Sequence, residues 1–340
     1  MRAPRPTLRS LAAEAGVSAM AMSLALRGSP GVSAATRRRL RRLAEARGYR
    51  PDPHVARLMH HLRTRAPARA QANLCGLLER WPDAPPGPEN FLTRLTASLR
   101  TRAASLGFGF DVVFTDDYGS PARLRRVLAS RGIEGLLLLP RRQPTDFSRM
   151  LDWDSYSVVT VTSAVTVPRF HGITPNHFDN VLLACAQLTR AGCRRIGLAM
   201  PQAWDERVNH RWSGGMAWHH QFGGTEAVAP LLEADAGLVL RPARLTEWIR
   251  RERPDAVVFE SIESGSVRKA VASLPTRSRP RLVSLNWPNL AADCGVDQRV
   301  ERIGEVAIET LAAMVSRGEK GIPALASQTM IPGRWVEARG

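Results

Sequence analysis

The chain has 340 residues, enough for two or three domains, and its 44% apolar and 23% charged residues exclude both a small disulfide scaffold and wholesale disorder. No apolar run approaches the roughly 18 residues needed to cross a bilayer, so no membrane span is expected. The net charge of +17 is unevenly placed: residues 1 to 70 hold 15 Arg, no Lys and three acids (Glu14, Glu45, Asp52), a net +12 that leaves +5 for the other 270. Arginine supplies 46 of the 48 basic residues, with Lys269 and Lys320 the exceptions. A GC-rich coding sequence explains that skew, but not the asymmetry. A small basic domain carries the footprint of phosphate binding, because each neutralised phosphate releases condensed counterions.

Residues 1 to 26 offer basic residues followed by an Ala-rich apolar stretch, but Glu14 and Gly16 interrupt it. It is read as folded, retained sequence and not as a secretory signal. Leu8, Leu11, Ala12 and Ala15 recur at helical spacing behind Thr7, a candidate N-cap, and Gly16 ends the helix. Ser18 is placed to cap a second helix over residues 19 to 26, with Met22, Ala25 and Leu26 inward. Ser33 is placed to cap a third, with Leu40, Leu43 and Ala44 inward and Arg37, Arg38, Arg39, Arg41 and Arg42 around the rest, of which about half are expected to be simply solvated. Two short helices across a glycine turn, then a third, make the plan of a helix-turn-helix, whose second helix enters the major groove.

T-L-R-S-L-A-A-E-A-G-V-S (residues 7 to 18), Ser23, G-V-S-A-A-T-R (31 to 37) and G-Y-R-P-D (48 to 52) closely resemble the headpiece of the LacI/GalR repressor family, in register over about 50 residues. The resemblance implies that Ala19, Met20 and Ala21 face base edges. All three are apolar, so they suit thymine methyls and groove shape but not bidentate hydrogen bonds. It further implies phosphate contacts from Thr7, Ser18, Ser23, Ser33 and Thr36, with Arg27 in place of the family's asparagine. For each serine a plain helix cap is an equally good reading and is compatible with the contact. Residues 52 to 62 resemble the family's hinge helix, with Leu58 at the minor-groove wedge position, where an apolar side chain unstacks a base step. Asp52 and Val55 depart from the family pattern. His60 and His61 are read as hinge-end residues, not metal ligands, and residues 63 to 72 as linker.

From residue 73 short apolar runs alternate with amphipathic helices, an α/β signature. Strands are expected at 74–78, 108–114, 133–139, 156–161, 196–200, 256–259 and 281–286. Helices are expected at 91–106, from Pro121, and at 178–191, 207–222 and 300–317. Two successive parallel-sheet lobes fit this series better than one. G-C-R-R-I-G-L-A (192 to 199), R-P-D-A-V-V-F (253 to 259) and residues 295 to 304 are similar, more loosely, to the same family's effector-binding core, which resembles periplasmic sugar-binding proteins. At residues 176 to 180 the chain reads N-H-F-D-N where many members have D-N-x-x-G.

The expected organisation is an α/β protein with three parts: an all-α helix-turn-helix headpiece (1–51), a hinge and linker (52–72), and a two-lobed, periplasmic-binding-protein-like core with parallel sheets (73–340). Lobe 1 is expected at about 73–167 and 297–322, and lobe 2 at about 168–296 and 323–337. Ligands in such cores sit between the lobes at the carboxyl ends of strands. The resemblance places Arg207 and Arg211 at the ligand, and Phe91, Glu260, Asn286, Trp287 and Gln298 stand at helix starts or strand ends; each is individually as good a packing or surface residue. Trp204, Trp212, Trp218 and Trp248 are equally good core residues and are left out.

Cys75, Cys185, Cys193 and Cys294 show no metal-ligand spacing and read as reduced thiols of a cytoplasmic protein. No triad spacing, G-x-S-x-G elbow or P-loop appears, so no enzyme, cofactor or metal is expected. The reading is a homodimeric transcriptional regulator, a repressor in its expected sense, that binds a palindromic double-stranded operator and answers to a small molecule of the carbohydrate class. The absence of heptads after Trp335 favours a dimer over a coiled-coil tetramer. The alternative is an exported solute-binding protein of a sugar transporter, whose signal peptide would have to overlap the helix-turn-helix.

Overall fold

The computed structural model divides into two compact units, Met1–Ala70 and Gln71–Gly340, each taken here by itself. The structure describes residues 8–26, 32–47, 49, 73–81, 90–234, 237, 239–260, 264–288 and 292–337; at Arg9, Ala19, Met20, Ser23, Ala34 and Ser264 this covers the backbone alone.

The first unit holds α1 (Leu8–Glu14), α2 (Ala19–Leu26) and α3 (Ala34–Ala46). Gly16 takes φ 67°, a left-handed backbone that glycine adopts without a Cβ penalty, and this stops α1 and turns the chain toward α2. Both serines cap as the sequence suggests: Ser18 Oγ accepts from Ala21 N at 3.1 Å, and Ser33 Oγ from Thr36 N at 3.2 Å. The inward positions bury Leu11, Ala12, Met22, Ala25, Leu40 and Ala44, while Leu26 and Leu43 are half-buried at the rim. Arg47 closes the module by pairing with Glu14, its Nε 2.9 Å from Oε1.

The second unit is two α/β lobes. One sheet collects β1 (Asn73–Leu78), β2 (Gly109–Phe114), β3 (Ile133–Leu138), β5 (Ser157–Val161), β7 (His171–Pro175) and β13 (Gln328–Ile331), in the order β13-β7-β5-β3-β1-β2 and all parallel. β4 (Thr145–Asp146) and β6 (Val165–Val167) pair as a small separate sheet. Helices α4 (Phe91–Ser105) and α11 (Val300–Arg317) bury Leu95, Leu99, Ile303 and Leu311 against one face of the large sheet. α5 (Pro121–Ser130) covers the other with Leu124 and Leu128, joined by Phe147 and Trp153. Coverage on both faces explains why these strands are near-continuous apolar runs.

The other lobe contains α6 (His177–Arg190), β8 (Ile196–Pro201), α7 (Gln202–Arg207), α8 (Arg211–Phe222), β9 (Leu231–Glu233), α9 (Pro242–Glu252), β10 (Ala256–Phe259), α10 (Ser264–Ala272), β11 (Arg281–Ser284), β12 (Cys294–Asp297) and β14 (Arg334–Glu337). Its sheet order is β14-β12-β11-β10-β8-β9, with only β14 antiparallel. At Gly295 a Cβ would stand 2.4 Å from the Ser284 carbonyl, so close approach of β11 and β12 demands glycine.

Two expectations are corrected. β7 and β13 belong to the first sheet, so the chain crosses between lobes just after residue 175, after 297 and between 331 and 334, not near 168 and 323. Strand pairing decides this membership, since β13 hydrogen-bonds to β7 and β7 to β5, and no local pattern carries it. The single helix expected over 207–222 is two. Asn209 and His210 take left-handed backbone (φ 54° and 56°), and the buried Asp205 carboxylate accepts from Ser213 N at 3.0 Å, capping α8 afresh.

Candidate functional site

In the first unit, α2 and the start of α3 carry the hydroxyls singled out from sequence. The Ser18 hydroxyl is exposed and accepts from the backbone, which leaves its proton able to meet a phosphate oxygen. Ser33 Oγ and Thr36 Oγ1 stand 2.8 Å apart, and either hydroxyl can donate to the other. Ala21 is half-buried on α2. Of the arginine row, Arg37 donates to Val32 O at 3.0 Å and Arg39 to Ala15 O at 3.2 Å, so these two serve the module itself. Arg38, Arg41 and Arg42 are exposed. Thr7, Arg27, Leu58, His60 and His61 lie outside the described residues, as do the hinge over 52–62 and the linker; Ala19, Met20 and Ser23 lie on α2, described by backbone alone.

In the second unit residues that follow strands of both sheets meet at the lobe junction, and Arg207 of the second lobe reaches the first there. It is 8% exposed, donates from Nη1 to Arg141 O of the first lobe at 3.2 Å, and lies over the Trp204 ring at 4.1 Å and the Trp81 ring at 5.7 Å. Trp81 of the first lobe meets Trp204 of the second at 5.9 Å between rings. Burial pulls the Arg207 guanidinium down to about 10, against the upward pull of the Glu260 and Glu79 carboxylates. Glu79 pairs with Arg141 at 3.0 Å, and Arg141 Nη1 donates to Thr115 Oγ1 at 3.1 Å.

His177, the first residue of α6, is 3% exposed and sits edge-on to Trp212 at 4.9 Å. Burial first, then the Arg207 and Arg211 charges, holds its imidazole down at about 3, so at neutral pH it is uncharged and offers one N–H and one lone pair.

The remaining sequence candidates divide. Glu260 and Asn286 join Arg207: Asn286 Nδ2 donates to Glu260 Oε1 at 3.2 Å, both residues are buried, and Glu260 acts electrostatically on the guanidinium. Arg211 reaches across to the first lobe, its Nη2 donating to Gln328 Oε1 at 2.9 Å. Gln298 spends its amide on Leu285 O at 2.6 Å, which anchors the second crossover. Trp287 offers its carbonyl to Arg94 Nη1 at 3.2 Å, and Arg94 also holds Glu301 at 2.8 Å, a second clasp between lobes. Phe91 is half-buried and packs on the first-lobe core. Sequence reasoning passed over Trp81, Arg141, Thr162, Ser163 and His177, and set Trp212 aside as a core residue. Their available signal was position, since Trp81, Arg141, Thr162 and Ser163 each follow a strand of the first sheet within three residues. Trp204, Trp212 and Trp248 are buried, whereas Trp218 is 46% exposed.

Among the described residues, no group of three or more His, Cys, Asp or Glu side chains could hold a metal ion. Burial pushes the thiols of Cys75 and Cys185 up to about 12, which keeps them protonated. Among the described residues no helix is long and apolar enough to cross a membrane.

The first unit thus has three helices in helix-turn-helix order, and the second is a two-lobed parallel-sheet fold with polar side chains meeting between its lobes. Residues 7–52 match the family of bacterial regulatory proteins of the lacI type, so this segment is similar to the helix-turn-helix domain of that family. Similar solved structures include the transcriptional regulator CelR in complex with cellobiose, with 19% identity, 98% of this chain and 100% of that chain covered, and a TM-score of 0.58. The lac repressor dimer bound to operator and the anti-inducer ONPF is 15% identical, with 98% of each chain covered and a TM-score of 0.55. The regulator CcpA of Lactococcus lactis is 11% identical over 80% of this chain and 100% of that one, with a TM-score of 0.57. At these identities the likeness is one of fold. No curated protein matches the sequence.

Proposed function

We propose that this protein is a sequence-specific transcriptional regulator of the cytoplasm, a repressor that binds a near-palindromic operator as a homodimer. A small molecule of the carbohydrate class, held where the lobes meet, sets its grip on DNA. The observation that carries the reading is the joining in one chain of a lacI-type headpiece to a two-lobed core whose junction is polar and buried. Similar chains include one in complex with cellobiose and a dimer bound to operator. In this reading Thr7, Ser18, Ser23, Ser33, Thr36 and Arg27 meet phosphates, Ala19, Met20 and Ala21 face bases, and Leu58 wedges the minor groove. Arg207, Arg211, Glu260 and Asn286 meet the effector, while Phe91, Trp287 and Gln298 shape its surroundings. An effector that binds one lobe arrangement better than another shifts the population that grips DNA, and no catalytic step is involved.

The test is selection of bound fragments from random and genomic duplexes with the full chain. A shared near-palindrome is the expected result. Equal affinity for every duplex overturns specific regulation, and a cleaved, exported product found by fractionation with N-terminal sequencing would favour a transport role instead.

A further inference from the structure

The lobe junction carries a surplus of one kind of polar atom. Buried and without a hydrogen-bond partner are Trp81 Nε1, Arg141 Nε, Arg207 Nε, Arg211 Nη1 and Trp212 Nε1, all of which can only donate. The Thr162 and Ser163 hydroxyls and both ring nitrogens of His177 are also unpartnered, and these can donate or accept. Buried polar groups are ordinarily paired, so a cluster of orphans marks a place where something else completes them.

The topology brings the cluster together. Arg141, Thr162, Ser163 and Trp81 follow the carboxyl ends of the neighbouring strands β3, β5 and β1, and His177 follows β7 on the other side of β5. Arg207 of the second lobe touches Arg141 and lies over Trp81 of the first, and Trp212 touches His177, which opens α6 just past the crossover. Thr162 N donates to Ile173 O at 2.8 Å, which fixes the end of β5 beside the strand that leads to His177.

Charge points the same way. Among the described residues of the junction named above, three guanidiniums (Arg141, Arg207, Arg211) meet two carboxylates (Glu79, Glu260). Glu79 is engaged by Arg141 and by the Arg142 backbone N–H, and Glu260 by Asn286. Arg207 is held down by burial that those carboxylates do not offset. A neutral sugar hydroxyl both donates and accepts, and so would bring donors into a site already rich in them. An acid group brings acceptors alone, and its charge-assisted hydrogen bonds to guanidinium are the stronger kind.

We propose that the junction takes an anionic ligand: a small polyhydroxylated molecule bearing a carboxylate or a phosphate, with the acid group received by the orphaned donors of Arg141, Arg207, Arg211, Trp81 and Trp212. This deepens the reading above and rests on it only for the consequence at DNA. The ligand's acid group, not its ring, supplies the discrimination, because an unmet buried donor disfavours every analogue that lacks the acceptor.

The test uses the purified full chain in calorimetric titration and thermal melting. Probes are paired: glucuronate and gluconate for the carboxylate arm and a hexose monophosphate for the phosphate arm, each against its neutral parent sugar. Acetate and inorganic phosphate are compared with chloride at equal ionic strength. At least one acid should bind roughly tenfold or more tightly than its neutral parent, and the arm that does so identifies the acid group. Acetate or phosphate should raise Tm above the chloride control. Trp212→Phe and Trp81→Phe, which keep an aromatic ring and remove the donor, should each lower the acid-over-neutral ratio several-fold, with circular dichroism checking the fold. Neutral sugars binding as well as their acids, a ratio unchanged in both variants, or no shift from any probe would each overturn the proposal. Fragment selection on the same preparation separates the two readings: a palindrome without acid preference sinks only the ligand class, and acid preference without DNA selectivity sinks only the regulator.

Discussion

The two units of this chain are built on opposite economies of burial. Among the described residues the helical unit closes on six buried side chains, all apolar and three of them alanine, and adds an exposed ion pair between Glu14 of its first helix and Arg47, which follows its third. The lobed unit buries several sizeable clusters over both faces of two sheets, and then leaves polar atoms unpartnered where the lobes meet. A small core with charge outside suits a module whose affinity comes from counterion release, whereas a large core can carry the cost of desolvated, incompletely paired groups that a ligand completes. On the proposed function, the chain keeps stability and recognition on different residues in each unit: recognition lies on the surface in one and at an internal junction in the other.

The largest expected effect tests that division by salt. If Arg38, Arg41 and Arg42 of two headpieces supply about six phosphate contacts, operator affinity should fall about 10³-fold between roughly 50 and 200 mM salt. The thermal transition of the lobed unit should move little over the same range. A flat salt dependence in a binding titration would remove the electrostatic half of the contrast.

Next comes the small core. Leu40→Ala should cost about 2–5 kcal/mol, as buried leucine truncations do. In a unit of this size that is enough to abolish DNA binding. The calorimetric transition of the core and its response to acid probes should survive, and their joint loss would show that the units are not energetically separate.

A smaller effect sharpens the account of the junction through pH. The native His177 imidazole titrates at about 3, below its ordinary value. Between those values the unfolded chain binds the extra proton, so stability present at neutral pH is lost as pH falls from about 6.5 toward 3. The loss should reach about 2 kcal/mol by pH 5. Urea midpoints should show it, and His177→Gln should flatten that part of the slope; an unchanged slope would mean that the imidazole is not held neutral by burial.

The headpiece is legible from sequence because its determinants are local: leucines and alanines at helical spacing, serines at the caps and a glycine between. The core's helices and strands are legible in the same way where apolar runs are long, as at α11, whose expected range of 300–317 is the one found. The junction is another matter. Glu260 and Asn286 stand out because they follow strand ends on one lobe, and Arg207 through the family resemblance, whereas Trp81, Arg141, Ser163 and His177 share that placement after strands but acquire a joint role only from their neighbours in space. Local pattern set which segments became helices and strands, since that depends on side chains a few residues apart. Which lobe received β7 and β13, and which polar atoms were buried without partners, was decided by pairing between strands far apart along the chain, and burial of a polar atom has no signature in the residues beside it.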